Sequence, residues 1–217
     1  MKNRKIWVML VGLFTALTNG FMGTTLTFAE ENEASQTIEQ PSYISDFPNQ
    51  VGHWQDLVGT AEKKNDSAGL WIANTKQGTN LESVSINLDA REQSSGDLEL
   101  TFLYEGQSNF GLVFRGDKQK TSQWQSFAYN RDGRWQLGQP GGKWLTNIPG
   151  PTLLSGQQYK LLVRYDGKKI QTFLNDQLFY ENEEVHYPDG TSINDDWMGA
   201  VGIRLFGNLS KLNIISM

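Results

Sequence analysis

The sequence predicts an all-β fold, an antiparallel two-sheet β-sandwich. Val84, Ile86, Leu88 and Ala90 are separated by Ser85, Asn87 and Asp89, the period of two that a strand with one buried face requires. Asp132-Gly133, Asp166-Gly167 and Asn175-Asp176 stand between runs of this kind and supply the positive-φ residues of two-residue hairpins. Glycine is abundant, with 22 of 217 residues, and aromatics make up 12%. Such a composition suits strands joined by tight turns.

Residues 1–29 read as an export signal. Lys2, Arg4 and Lys5 make a basic start, Ile6 to Leu17 is apolar, and Thr27-Phe28-Ala29 ends on a small residue suited to cleavage, the three parts of a secretory signal. The apolar stretch is too short for an ordinary membrane span. Its removal takes the formal charge from −5 to −8, because three basic residues leave and no acidic ones. Residues 30–46 are polar and acidic, a linker with too little apolar surface to order itself. Residues 47–217 form the sandwich. Further strands are expected around Leu98, Leu100, Phe102 and Tyr104, around Phe110, Leu112 and Phe114, around Tyr159, Leu161, Val163 and Tyr165, and around Val201, Ile203 and Leu205. Of these, Leu100, Phe102, Phe114, Leu161, Val163, Ile203 and Leu205 should be buried, and Asp97 and Glu99 should lie on a solvated face. Gln139-Pro140-Gly141-Gly142 and Pro149-Gly150-Pro151 are longer breaks, where proline removes a ladder donor.

The succession Gly96-Asp97-Leu98-Glu99-Leu100, Asn109-Phe110-Gly111-Leu112-Val113-Phe114-Arg115, Tyr159-Lys160-Leu161-Leu162-Val163, Asn175-Asp176-Gln177-Leu178 and Gly199-Ala200-Val201-Gly202-Ile203 resembles the concanavalin A-like lectin and glucanase superfamily. It looks most like the accessory domains of that superfamily, the laminin-G-like modules and the sugar-binding domains attached to bacterial glycoside hydrolases. The resemblance implies a jelly roll over 47–217 and a carbohydrate as partner; its motifs are structural and name no ligand.

Several chemistries are excluded. The chain has no cysteine, hence no disulfide, thiolate metal site or cysteine nucleophile. Its acidic balance argues against nucleic acid and anionic membranes as partners, and with the signal cleaved no integral membrane association is expected. The Glu-x-Asp-x-x-Glu run of retaining glucanases is missing, although hydrolysis needs two carboxylates. His53 and His186 lack the spacing of a helical zinc site. There is no Gly-x-Ser-x-Gly elbow and no phosphate-cradling glycine loop. A calcium ion is the one cofactor left open, because Asp189, Asn194, Asp195 and Asp196 gather oxygen donors on one loop.

The positive signal is aromatic and cationic. Sugars present apolar C–H faces and rings of hydroxyls, so their sites pair aromatic rings with forked donors. Trp124, Trp135 and Trp144 cluster around the Asp132-Gly133 hairpin with Tyr129. Strand parity sets Arg115 and Arg204 opposite the apolar face and beside glycine, with Asp117 near Arg115. The expectation is a secreted, noncatalytic carbohydrate-binding domain whose site combines Arg115, Asp117, Trp124, Tyr129, Trp135, Trp144 and Arg204. A glycosidase of the same fold and a protein-binding adhesive module are the alternatives.

Overall fold

The computed structural model describes residues 53–66, 69–74, 81–208 and 210–217; the expected signal at 1–29 and linker at 30–46 lie outside them. The strands are β1 Trp54–Val58, β2 Glu62–Asp66, β3 Gly69–Ala73, β4 Glu82–Asn87, β5 Gly96–Tyr104, β6 Asn109–Gly116, β7 Gln125–Tyr129, β8 Trp135–Gln139, β9 Lys143–Ile148, β10 Gln157–Asp166, β11 Lys169–Leu174, β12 Gln177–Asn182, β13 Ala200–Phe206 and β14 Lys211–Ser216. They form two seven-stranded sheets, ordered β1-β4-β13-β6-β7-β8-β9 and β12-β11-β10-β5-β14-β3-β2. All pairings are antiparallel. This is the two-sheet jelly-roll sandwich, with β6 to β9 and β10 to β12 as meanders and β13 and β14 inserted into the middle of the two sheets.

The turns follow the sequence closely but not in every register. Leu174 pairs with Gln177, so Asn175 and Asp176 form a two-residue loop, both at positive φ, 49° and 66°. Asp166 pairs with Lys169, which makes the next two-residue loop Gly167-Lys168 rather than Asp166-Gly167. Asp132-Gly133 lies within the longer loop 130–134, because Tyr129 pairs with Trp135.

The inner faces meet through aromatic rings. Phe102 lies 4.8 Å from Phe110, Tyr104 meets Tyr129 edge-on at 5.5 Å, and Phe114 stacks on Tyr165 at 4.8 Å. Leu100, Phe102, Phe114, Leu161, Val163, Ile203 and Leu205 are all buried, as alternation predicts. Asp97 and Glu99 face solvent, the former in a two-pronged pair with Arg164 at 2.8 and 2.7 Å. Strand β4 departs from the half-buried pattern. Ser85 pairs with Ile203 on the inner side, where its hydroxyl donates to Asp56 Oδ1 at 2.5 Å and Lys63 Nζ joins the same oxygen at 2.5 Å. That polar clasp between β1 and β2 closes one edge of the sandwich and turns Val84 and Ile86 to the outer face of the β1-to-β9 sheet. There they are fully buried, since loop 117–124 crosses the face and is tied down by Gln55 Nε2 donating to Lys118 O at 3.1 Å and Lys118 Nζ donating to Leu88 O at 2.9 Å.

Candidate functional site

The covered outer face is built around Arg204. This residue pairs with Val84 and Gly111 in the flanking strands, so its side chain leaves the sheet away from the core, as parity predicts. Its guanidinium carbon sits 4.2 Å from the Phe206 ring centroid, 4.3 Å from that of Trp144 and 5.5 Å from that of Trp124. Cations favour the faces of such rings. Nε donates to Glu82 Oε1 at 2.5 Å. Burial pushes the guanidinium below its ordinary pKa, and the Glu82 carboxylate works against that shift. Nη1 is buried without a hydrogen-bond partner, a state that ordinarily costs stability.

Trp144 lies across Gly138, its cross-strand partner. A Cβ at Gly138 would stand 2.1 Å from Trp144 Cε3, so only glycine leaves room for the indole on the sheet. Trp124, at the end of loop 117–124, is buried and donates from Nε1 to Thr121 O at 3.1 Å. Its ring centroid is 6.1 Å from that of Trp144. Beside the two indoles opens a cleft of about 320 Å³, lined also by Val58 and Glu82, by Thr121 and Ser122, and by the turn Pro140-Gly141-Gly142. This volume is near the lower end of the roughly 300–1,000 Å³ of small-molecule sites. The cleft offers aromatic surface, two hydroxyls and a carboxylate.

Three of the seven residues expected in a site thus converge here: Trp124, Trp144 and Arg204. The other four do not. Arg115 has a φ of 55°, and the β6–β13 pairing slips beside it, between Ala200 and Gly202. This bulge reverses the parity and sends the side chain between the sheets. There Nε donates to Ser94 O at 2.7 Å, Nη1 to Gln125 Oε1 at 2.9 Å and Asn194 O at 3.2 Å, and Nη2 to Gly167 O at 2.7 Å, while the guanidinium lies 5.2 Å from the Tyr165 ring. Arg115 is fully buried, and its donors are spent on the protein. Asp117 does not pair with it; its Oδ1 accepts the amides of Gln119 and Lys120 at 2.7 and 3.2 Å, which hold its pKa down. Tyr129 belongs to the core, its hydroxyl accepting Leu153 N at 3.0 Å. Trp135 does too, donating to Pro151 O at 2.9 Å and packing 4.8 Å from Tyr129. Nor do Gly111 and Gly202 leave room for a ligand. A Cβ at Gly202 would meet Ser85 O at 2.2 Å and one at Gly111 the Ala128 Cβ at 2.7 Å, so these glycines let neighbouring strands approach.

The oxygens proposed for calcium serve the loop. Asp189 Oδ1 accepts Thr191 N at 3.0 Å and Thr191 Oγ1 at 2.6 Å, and Asn194 Oδ1 accepts Asp196 N at 3.2 Å. Among the described residues no group of three or more histidine, aspartate or glutamate side chains is placed to hold a metal ion. The sequence reading missed Glu82, Phe206, Thr121 and Ser122. Glu82 was accessible to it in principle, since it shares the parity of Val84 and Ile86; the rest needed the course of loop 117–124.

No protein-family model matches the chain. Solved structures match it at low identity. A protein of unknown function with a galectin-like fold from Bacillus subtilis aligns with a TM-score of 0.58 at 13% identity, over 81% of this chain and 94% of the other. The carbohydrate binding module CBM66 from Bacillus subtilis aligns with a TM-score of 0.52 at 16% identity, over 73% and 94%. A GlcNAcα1-4Gal releasing endo-β-galactosidase from Clostridium perfringens gives 0.53 at 9% identity, over 80% and 60%. These likenesses establish the concanavalin A-like jelly-roll fold.

Proposed function

We propose that this chain is an exported, noncatalytic carbohydrate-binding domain whose ligand occupies the cleft beside Trp124 and Trp144. The observation that carries the reading is the combination, in one cleft, of indole surface with the Thr121 and Ser122 hydroxyls and the Glu82 carboxylate, the pairing of apolar face and polar edge that a sugar ring demands. Among the described lining residues Glu82 is the single carboxylate, whereas glycoside hydrolysis uses two; this favours binding over cleavage. The fold shared with a carbohydrate binding module is compatible with that reading.

A glycan array followed by titration tests it. Wild-type protein should bind at least one glycan, and Trp144→Ala should weaken that binding by about 1 to 3 kcal/mol, the apolar area of a stacked ring, with the fold retained. Unchanged affinity in Trp144→Ala would move the site elsewhere. Sugar hydrolysis that disappears in Glu82→Gln would make the protein an enzyme.

A further inference from the structure

Resting on that reading, we infer that the cleft selects an uncharged glycan and discriminates against both acidic and amino sugars. The single charged residue among its described lining residues is Glu82, and a bare carboxylate there would repel a uronate. The cation that compensates it, Arg204, is withdrawn from the cleft: its side chain is 8% exposed and is held between the Phe206 and Trp144 rings. It therefore cancels the Glu82 charge without offering a positive surface to a ligand, and the cancelled pair gives an ammonium little to bind.

The basic residues that frame the cleft are spent in the same way. On the loop that carries Thr121 and Ser122, Lys118 approaches Glu92 at 3.7 Å and Lys120 approaches Asp117 at 3.3 Å. On the other side Lys143, next to Trp144, donates to Thr191 Oγ1 at 3.0 Å and lies 3.9 Å from Asp189. Each cation has a carboxylate of its own. Over the whole chain the formal charge is −5, so the long-range field opposes a polyanion. A ligand must then be recognised through hydroxyl hydrogen bonds and ring stacking, neither of which salt screens appreciably.

The test is retention of the purified protein on immobilised laminarin, galactan, mannan, polygalacturonate and chitosan at 50 and 500 mM salt. Binding to at least one of the three neutral polymers is expected, with affinity changing less than about twofold between the two salt concentrations. Polygalacturonate should bind at least about tenfold more weakly than that polymer at both salt concentrations, and chitosan, which the net negative charge attracts at 50 mM salt, should be at least about tenfold weaker at 500 mM, where that attraction is screened. The exposed rim substitution Ser122→Arg should raise affinity for polygalacturonate by about tenfold, since it adds the unpaired cation that the wild type lacks. Tightest binding to polygalacturonate, or to chitosan at 500 mM salt, would overturn the inference while leaving sugar binding intact. Failure to bind any polymer or arrayed glycan would overturn sugar binding itself, and this inference with it.

Discussion

At Arg115 one backbone dihedral redirects a charge from the surface to the interior. Alternation alone places its side chain outside, and the positive φ that reverses this is invisible in a run reading Leu112-Val113-Phe114-Arg115. Once inside, the guanidinium serves four acceptors from separate loops and strands, at Ser94, Gln125, Gly167 and Asn194. Lysine has one nitrogen and cannot reproduce that fork. Arg115→Lys should therefore lower unfolding free energy by about 2 to 4 kcal/mol, because buried acceptors are left unpaired, yet glycan affinity per folded molecule should not change; denaturant titration alongside glycan binding checks both. The buried tyrosines make a second prediction. Burial raises the pKa of Tyr104 and of Tyr165 from 10.0 to about 12. The folded state holds these protons more tightly than the unfolded one, so their contribution is complete below pH 10 and is lost as pH rises toward 12. Thermal unfolding measured from pH 8 to 12 should show a midpoint that falls only above about pH 10; a midpoint already falling at pH 8 would locate the effect in other groups.

The strands themselves were legible because their side-chain period is set by local geometry. Leu98, Leu100, Phe102 and Tyr104 alternate without interruption, and β5 is buried along that face. Phe114→Ala should cost about 3 to 5 kcal/mol in a denaturant titration, through lost transfer energy and the cavity left behind. What alternation could not reveal was which elements have two buried faces. Strands β6, β7 and β13 are buried almost throughout, because a loop with no strand pattern of its own, 117–124, lies over them. The candidate site was partly legible for the same reason. Arg204 obeys simple parity, while Trp135 and Trp144 are equally aromatic in sequence and differ only in which side of their hairpin meets the opposite sheet. Gly138 is the element-level key to the site, since it is the gap that seats the Trp144 indole. Gly138→Ala should displace that ring, shifting tryptophan fluorescence and lowering stability by about 1 to 3 kcal/mol, as overpacking does. A crystal structure of the variant with Trp144 unmoved would refute this account of the glycine.

At the scale of the molecule, the proposed export makes a prediction about the mature protein. Material recovered from the culture medium should begin at or near Glu30 on N-terminal sequencing; Met1 or Lys2 on membrane-bound protein would indicate an uncleaved anchor instead. The strand order bears on how such a chain reaches its folded state. Strand β13 lies between β4 and β6, and β14 between β5 and β3, so both sheets are divided until Ala200–Phe206 and Lys211–Ser216 have been made. Pairings this distant in sequence form late and slowly. During synthesis the earlier strands therefore have no complete sheet to join, and the polypeptide stays loose until its last segments lock it shut, the state that the proposed export would require of a chain threaded through a narrow pore.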